Sequence, residues 1–319
     1  MFDTLYKSGV AIAAAGILFL SGCGGGGSSG TTSLPTLNVP EANATAANGA
    51  EAVAAIFSGQ IGNIFIPFSA AASQPTGFDP AYFMLDKNGP VSKVLGYRPE
   101  TLNATYSDSV TCDYGGTMSL TESYTETHMD ATVTFSNCAF DPTFVMNGKM
   151  RVSAAGTNYG DTLTYMEVSF PSDFTITDDM YTFYISAGSN MRTDYSVYDY
   201  YNDYYAGTMT SSVEWGVDGD MGRYDNLTEV FTQDYYSYPW IETYCYKSGR
   251  IYVNNLTASL DIDPTYDPFC DHEFYYEDLD LLSGSMRFIG SGGYINVNVT
   301  DINTITVTDQ NGTDINVTL

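Results

Sequence analysis

The stretch Tyr294-Ile-Asn-Val-Asn-Val-Thr-Asp-Ile-Asn-Thr-Ile-Thr-Val-Thr-Asp-Gln-Asn-Gly-Thr-Asp-Ile-Asn-Val-Thr-Leu319 decides the fold. Ile295, Val297 and Val299 alternate with Asn296, Asn298 and Thr300. Ile305 and Val307 alternate with Thr304, Thr306 and Thr308. Ile315, Val317 and Leu319 alternate with Asp314, Asn316 and Thr318. Successive side chains of an extended chain point to opposite faces, so a period of two gives one apolar and one polar face. Half-buried antiparallel strands carry this pattern. Gln310-Asn311-Gly312 predicts a hairpin, because Asn-Gly accepts the left-handed backbone of a tight turn.

Working back toward the amino terminus, the same alternation appears in Leu163-Thr-Tyr-Met-Glu-Val168 and Thr132-Val-Thr-Phe135. Asn147-Gly148 is a second hairpin signal. Residues 101–319 are therefore expected to form an all-β domain: a large antiparallel meander, either a β-sandwich or an open, curved barrel. Typical strand lengths give ~12–16 strands. Ahead of it, Asn48-Gly-Ala-Glu51 has the form of a capping box. Ala50, Val53, Ala54 and Phe57 then share a helical face, so a short helix is expected to plug an end or face of the main body. Within 49–100, Ile61–Phe68 reads as a buried strand, and the prolines of 69–100 as irregular chain. A transmembrane barrel also alternates, but the apolar faces here are short and lack aromatic girdles.

The amino terminus gives an address. Lys7 precedes the apolar run Val10–Leu20, which is too short for the ~20 residues that span a bilayer as a helix. It has the form of a signal-peptide core. Leu20-Ser21-Gly22-Cys23 follows, and this resembles the lipobox of bacterial lipoproteins. The resemblance covers residues 1–23 only. It implies a cleaved signal peptide at 1–22 and a lipid-bearing Cys23 that anchors the chain in a membrane. Gly24 stands where an aspartate would favour inner-membrane retention in that family, so the resemblance implies the outer membrane. Residues 23–48 begin with Gly24-Gly-Gly-Gly-Ser-Ser-Gly30, a flexible tether.

An extracytoplasmic address changes the meaning of the remaining cysteines, Cys112, Cys138, Cys245 and Cys270, which become disulfide candidates. Cys112 and Cys138 are nearly the same distance apart as Cys245 and Cys270. Each first cysteine is soon followed by glycine. Each second one leads to a similar segment, Asn147-Gly-Lys-Met-Arg-Val152 and Ser283-Gly-Ser-Met-Arg-Phe288. This predicts the pairs Cys112–Cys138 and Cys245–Cys270, within an internal duplication over about 112–156 and 245–293.

The charge narrows the partners. A net −27, with 38 acidic against 11 basic residues, disfavours nucleic acid and anionic surfaces. It makes calcium a candidate, with Asp218, Asp220 and Asp225 in one cluster and Asp261, Asp263 and Asp267 in another. Aspartate also serves turns without any metal. Glu126, His128 and Asp130 share a parity. Tyrosine reaches 27 residues and gathers in two tracts. One runs from Tyr195 to Tyr205. The other carries Tyr236, Tyr238, Trp240, Tyr244 and Tyr246 on one parity, with Glu242 among them. Such rings can stack on sugar faces, and they can equally be strand filler. No nucleophile, zinc or phosphate-loop motif is present. The expected function is a non-enzymatic binding or structural module of the cell envelope, taking glycan, calcium or an envelope protein. The alternative is a carrier or chaperone for apolar cargo. Chemistry, if any, would be carboxylate-based glycoside hydrolysis.

Overall fold

The computed structural model describes residues 33–58 and 105–318, except 125–126, 143, 158–161, 178–181, 200–203, 218, 235–240, 267, 275–278 and 302–303. The strand expected at 61–68 and the irregular chain at 69–100 lie outside these residues. Among the described residues one helix, α1 (Ala46–Ser58), precedes eighteen strands in a single antiparallel sheet. In order these are β1 (Thr105–Thr111), β2 (Thr117–Tyr124), β3 (His128–Asp141), β4 (Phe144–Thr157), β5 (Thr162–Ser169), β6 (Phe174–Thr177), β7 (Thr182–Ile185), β8 (Asn190–Asp199) and β9 (Tyr204–Val217). Then follow β10 (Asp220–Asp234), β11 (Ile241–Val253), β12 (Ala258–Ile262), β13 (Phe269–Phe274), β14 (Leu279–Ser283), β15 (Ser285–Gly290), β16 (Gly293–Asp301), β17 (Thr304–Asp309) and β18 (Asp314–Thr318).

The meander is interrupted twice, in the same way. The first half of β4 pairs with β6 and its second half with β5. The first half of β11 pairs with β13 and its second half with β12. Beyond them β5 meets β8 and β6 meets β7, as β12 meets β15 and β13 meets β14. Finally β8 joins β9, and β15 joins β16. Four positions across the sheet are thus each shared by two short strands, which is why the count exceeds the expected 12–16. This recurrence, β4–β9 with β11–β16, has other bounds than the duplication read from the cysteines.

Long strands bend at bulges. The β3–β4 register slips between Phe135 and Cys138, and the β10–β11 register slips beyond Asp225. Asn137 and Asn226 sit at these slips with φ of 49° and 51°, a backbone that asparagine tolerates. Asn147-Gly148 is not the hairpin its sequence predicts. It lies inside β4, where the Asn147 Oδ1 accepts the Asn137 N–H at 2.7 Å and Gly148 pairs with Phe135. Gly148 has φ +112°, and a Cβ there would stand 2.2 Å from the Asp173 carbonyl oxygen. Asn-Gly serves a bulge here rather than a turn. Gln310-Asn311-Gly312 does turn, joining β17 to β18.

Both disulfides form as paired from the sequence. Cys245 and Cys270 are direct register partners on β11 and β13. Cys112, just past β1, reaches over the start of β2 to Cys138 on β3.

The inward residues of the alternation form one apolar cluster that includes Met118, Leu120, Val133, Phe135, Met150, Val152, Phe174, Trp215, Phe288, Ile295, Val297, Ile305 and Val307. Helix α1 closes it with Ala52, Val53 and Ile56. A Cβ at Gly49 would stand 2.7 Å from both Ile295 and Val307, so the helix lies hard against β16 and β17. The helix begins at Ala46, ahead of the expected cap Asn48. Thr45 accepts the Asn48 N–H, and Asp309 of β17 accepts that of Ala46. A cap from a distant strand is invisible to local sequence.

The segment ahead of the helix is a strap. Near its start it passes so close to Gly188 that a Cβ there would meet the Ser33 and Leu34 backbone. The Pro35 carbonyl accepts from Arg223 on β10 at 2.7 Å. Glu41 then bridges Ser259 on β12, and Asn43 bridges Ser291 beside β15, both in parallel sense. Arg223 alternates with the core residue Tyr224, so the strap crosses the outer face of β10. It slips between β12 and β15 and delivers α1 to the inner face.

Candidate binding site at the aromatic end of the sheet

Registers fix which strand ends lie together. The connections after β2, β4, β8, β10, β13 and β16 all leave from one end of the sheet. Just inside that end, β8–β11 carry a second cluster, separate from the main core. Tyr205, Phe231 and Tyr244 form its buried part, with Tyr195, Tyr198 and Met209 packed against them. Tyr195 meets Tyr198 edge-on at 5.2 Å and Phe231 at 5.9 Å. Tyr198 tilts against Tyr205 at 4.9 Å, and Phe231 stacks on Tyr244 at 6.3 Å. The two tyrosine tracts of the sequence thus meet through Phe231.

Polar groups line the same patch. Register pairs Gln233 with Glu242 and Phe231 with Tyr244. The Tyr244 hydroxyl donates to the Glu242 Oε2 at 2.7 Å. The Gln233 Nε2 donates to that same oxygen at 3.2 Å and to the Tyr244 hydroxyl at 2.7 Å. Gln233 is 0% exposed and Glu242 4%. A buried carboxylate is costly without donors, and these two supply them. Further along the inner face, Glu229 is also buried, opposite Tyr246. Burial first, and then the Glu229 charge, push the Tyr224 hydroxyl well above its ordinary pKa.

The aromatic tract read from the sequence is therefore divided. Tyr236, Tyr238 and Trp240 lie outside the described residues. Tyr244 and Tyr246 are each 5% exposed, and Tyr246 packs on Phe269, so these two are not an open platform. Their parity is the buried one because Cys245, between them, faces outward to Cys270.

The acidic candidates disperse. Asp218 and Asp267 lie outside the described residues, and Asp220 opens β10. Asp225 accepts from Arg223 at 2.9 Å and from the Tyr252 hydroxyl at 2.6 Å. Asp261 holds Arg250 through two bonds of 2.7 and 3.0 Å. Asp263 accepts both the Thr265 hydroxyl and its N–H, which hold its carboxyl below the usual range. These are turn and ion-pair roles. Among the described residues no group of three or more His, Cys, Asp or Glu side chains is placed to hold a metal ion. Glu126 lies outside the described residues. Asp130 pairs with Arg151 instead of converging on His128, which is exposed near Ser153 and Tyr165.

Three buried groups escaped the sequence reading, although a signal existed. Glu122 follows Met118 and Leu120 in the apolar register of β2. Glu229 and Gln233 share the register of Leu227 and Phe231. A polar residue on the apolar parity is the mark of an inward-facing polar group. Arg223 was missed as well. Its guanidinium is 2% exposed, held by Glu214 at 3.1 Å and Asp225 at 2.9 Å, and lies over the Tyr252 ring. Burial alone would lower its pKa, but the bonds to Asp225 and Glu214 outweigh that and raise it. No protein-family model, curated protein or solved structure matches the chain.

Proposed function

We propose that the chain is a lipid-anchored lipoprotein of the outer membrane whose β domain is a non-enzymatic binding module for glycan, taken at the aromatic end of the sheet. One observation carries the ligand class: the two tyrosine tracts converge there on a Gln233–Glu242–Tyr244 triangle. Sugar recognition uses flat rings for the apolar faces of the sugar, and the buried Gln233–Glu242–Tyr244 triangle braces those rings from behind. The buried Tyr205, Phe231 and Tyr244 form a rigid floor. The half-buried Tyr195 and Tyr198 stand where a ligand reaches them. The buried carboxylates argue for binding over hydrolysis. Glu242 faces Gln233, and Glu229 stands four residues back along β10, about 13 Å at strand rise. Glycosidases hold their two carboxyls ~5–10 Å apart. The packed interior also favours a ligand at the end of the sheet over apolar cargo inside it.

The ligand test is tryptophan fluorescence titrated with cell-envelope polysaccharides. A saturable change is expected, with at least tenfold weaker affinity in Tyr198→Ala. A flat response across the panel overturns the glycan reading. The anchor test is mass spectrometry of the amino-terminal peptide from the membrane fraction. An acylated Cys23 is expected, and an unmodified Met1 would overturn it.

A further inference from the structure

The path of the strap sets how the molecule stands on its membrane. Ser33 is already against the fold at Gly188, and only the residues from Gly24 to Ser33 separate it from Cys23. Ten residues reach at most ~36 Å fully extended. A glycine-rich chain of that length has a mean span of about 18 Å. The lipid is thus held close to where the strap meets the sheet.

That place is the end opposite the aromatic cluster. Arg223 is the fourth residue of β10, and Gln233 lies ten residues further on, ~33 Å at strand rise. The next contacts stay at the same end. Ser259 lies at the start of β12, and Ser291 lies in the turn from β15 to β16. The strap finishes at Ala46, whose N–H is accepted by Asp309 beside the β17–β18 turn. The clamp is buried and multiply bonded, so the strap is part of the fold and not a loose leader.

We infer that the end of the sheet carrying the Arg223 clamp and the β17–β18 turn faces the anchoring membrane, and that the aromatic end is presented away from it. The inference rests on the lipoprotein reading above. It adds that the partner lies beyond the membrane surface, as a polymer or neighbouring envelope layer does, and is not a lipid of the anchoring leaflet. The charge agrees, since a net −27 keeps the body off anionic headgroups and leaves the acyl chains to do the anchoring.

The test uses the full acylated protein in phosphatidylcholine vesicles. A fluorophore is placed on Thr313→Cys, exposed in the β17–β18 turn, or on Thr127→Cys, exposed in the β2–β3 turn at the aromatic end. An acceptor dye is carried on the lipid headgroup. Energy transfer at least twofold stronger from position 313 is expected. Inserting twenty Gly/Ser residues into the tether should shrink that difference. Equal transfer from both positions, or stronger transfer from 127, overturns the orientation while leaving the anchor intact. Vesicle binding that survives in Cys23→Ser, or acyl mass missing from the wild type, overturns the anchor, and the orientation falls with it.

Discussion

At the scale of single residues, the sheet is most sensitive where a polar group or a glycine stands in an apolar, close-packed register. Tyr244→Phe removes the hydroxyl that Glu242 accepts. Leaving a buried carboxylate short of a donor costs about 1–3 kcal/mol, readable as a lower urea midpoint. Arg223→Ala is expected to cost more, about 2–4 kcal/mol, because it leaves two partly buried carboxylates without their cation. Its signature is increased proteolysis of the strap, whose Pro35 carbonyl loses its donor. Gly148→Ala and Gly312→Ala separate two penalties. Both glycines have positive φ, but only at Gly148 would the new Cβ strike backbone. Gly148→Ala should therefore lower the melting temperature clearly more than Gly312→Ala.

The elements show what sequence conveys and what it does not. The cross-links bear first on stability. Each disulfide closes a loop that in the chain-entropy model contributes ~3–4 kcal/mol, so reduction should lower the urea midpoint markedly. A fully reduced chain as stable as the oxidised one would contradict this. Helix α1 depends on acid–base state. The Asp309 carboxylate accepts N–H donors from Thr313, Asn311 and Ala46, and the Thr313 bond does most to lower its pKa. A depressed folded pKa contributes stability that is complete above the unfolded value, ~3.9, and is lost as pH falls through the folded one. Thermal midpoints should drop below about pH 4, and Asp309→Asn should flatten part of that drop. Strand identity and cysteine pairing were legible, because alternation and spacing are local or nearly so. The cap of α1 was not, because it comes from β17. Asn147-Gly148 misled for a related reason, since the same backbone freedom that suits a hairpin also suits a bulge, and the choice is made by Asp173 and Phe174 packing against it. At the candidate site both tyrosine tracts were visible in the chain, but their meeting through Phe231 depends on the registers of β8–β11.

For the molecule as a whole, the alternation foretold an antiparallel meander and left sandwich and open barrel undecided. The outcome is one continuous antiparallel sheet with one main apolar core. Among the described residues its edge strands β1 and β18 each pair on one side only. Its charge should register in bulk behaviour. With a net −27, self-repulsion opposes compactness, and salt screens it over a Debye length of ~10 Å at 0.1 M. The melting temperature should rise between ~10 and 150 mM sodium chloride, and a fall over that range would assign more of the stability to ion pairs such as Arg250–Asp261.

The strap carries one more consequence, in the order of events during synthesis. The strap is fastened by strands made long after it: Pro35 waits for Arg223, Glu41 for Ser259, Asn43 for Ser291 and Ala46 for Asp309. Contacts this distant in sequence form slowly. The amino-terminal arm therefore docks in stages, and its last contact, Ala46 with Asp309, waits for β17. A nascent chain stopped short of β17 would hold the Arg223, Ser259 and Ser291 contacts but leave the start of α1 without its cap. Capping of α1 marks a chain that has been made through β17.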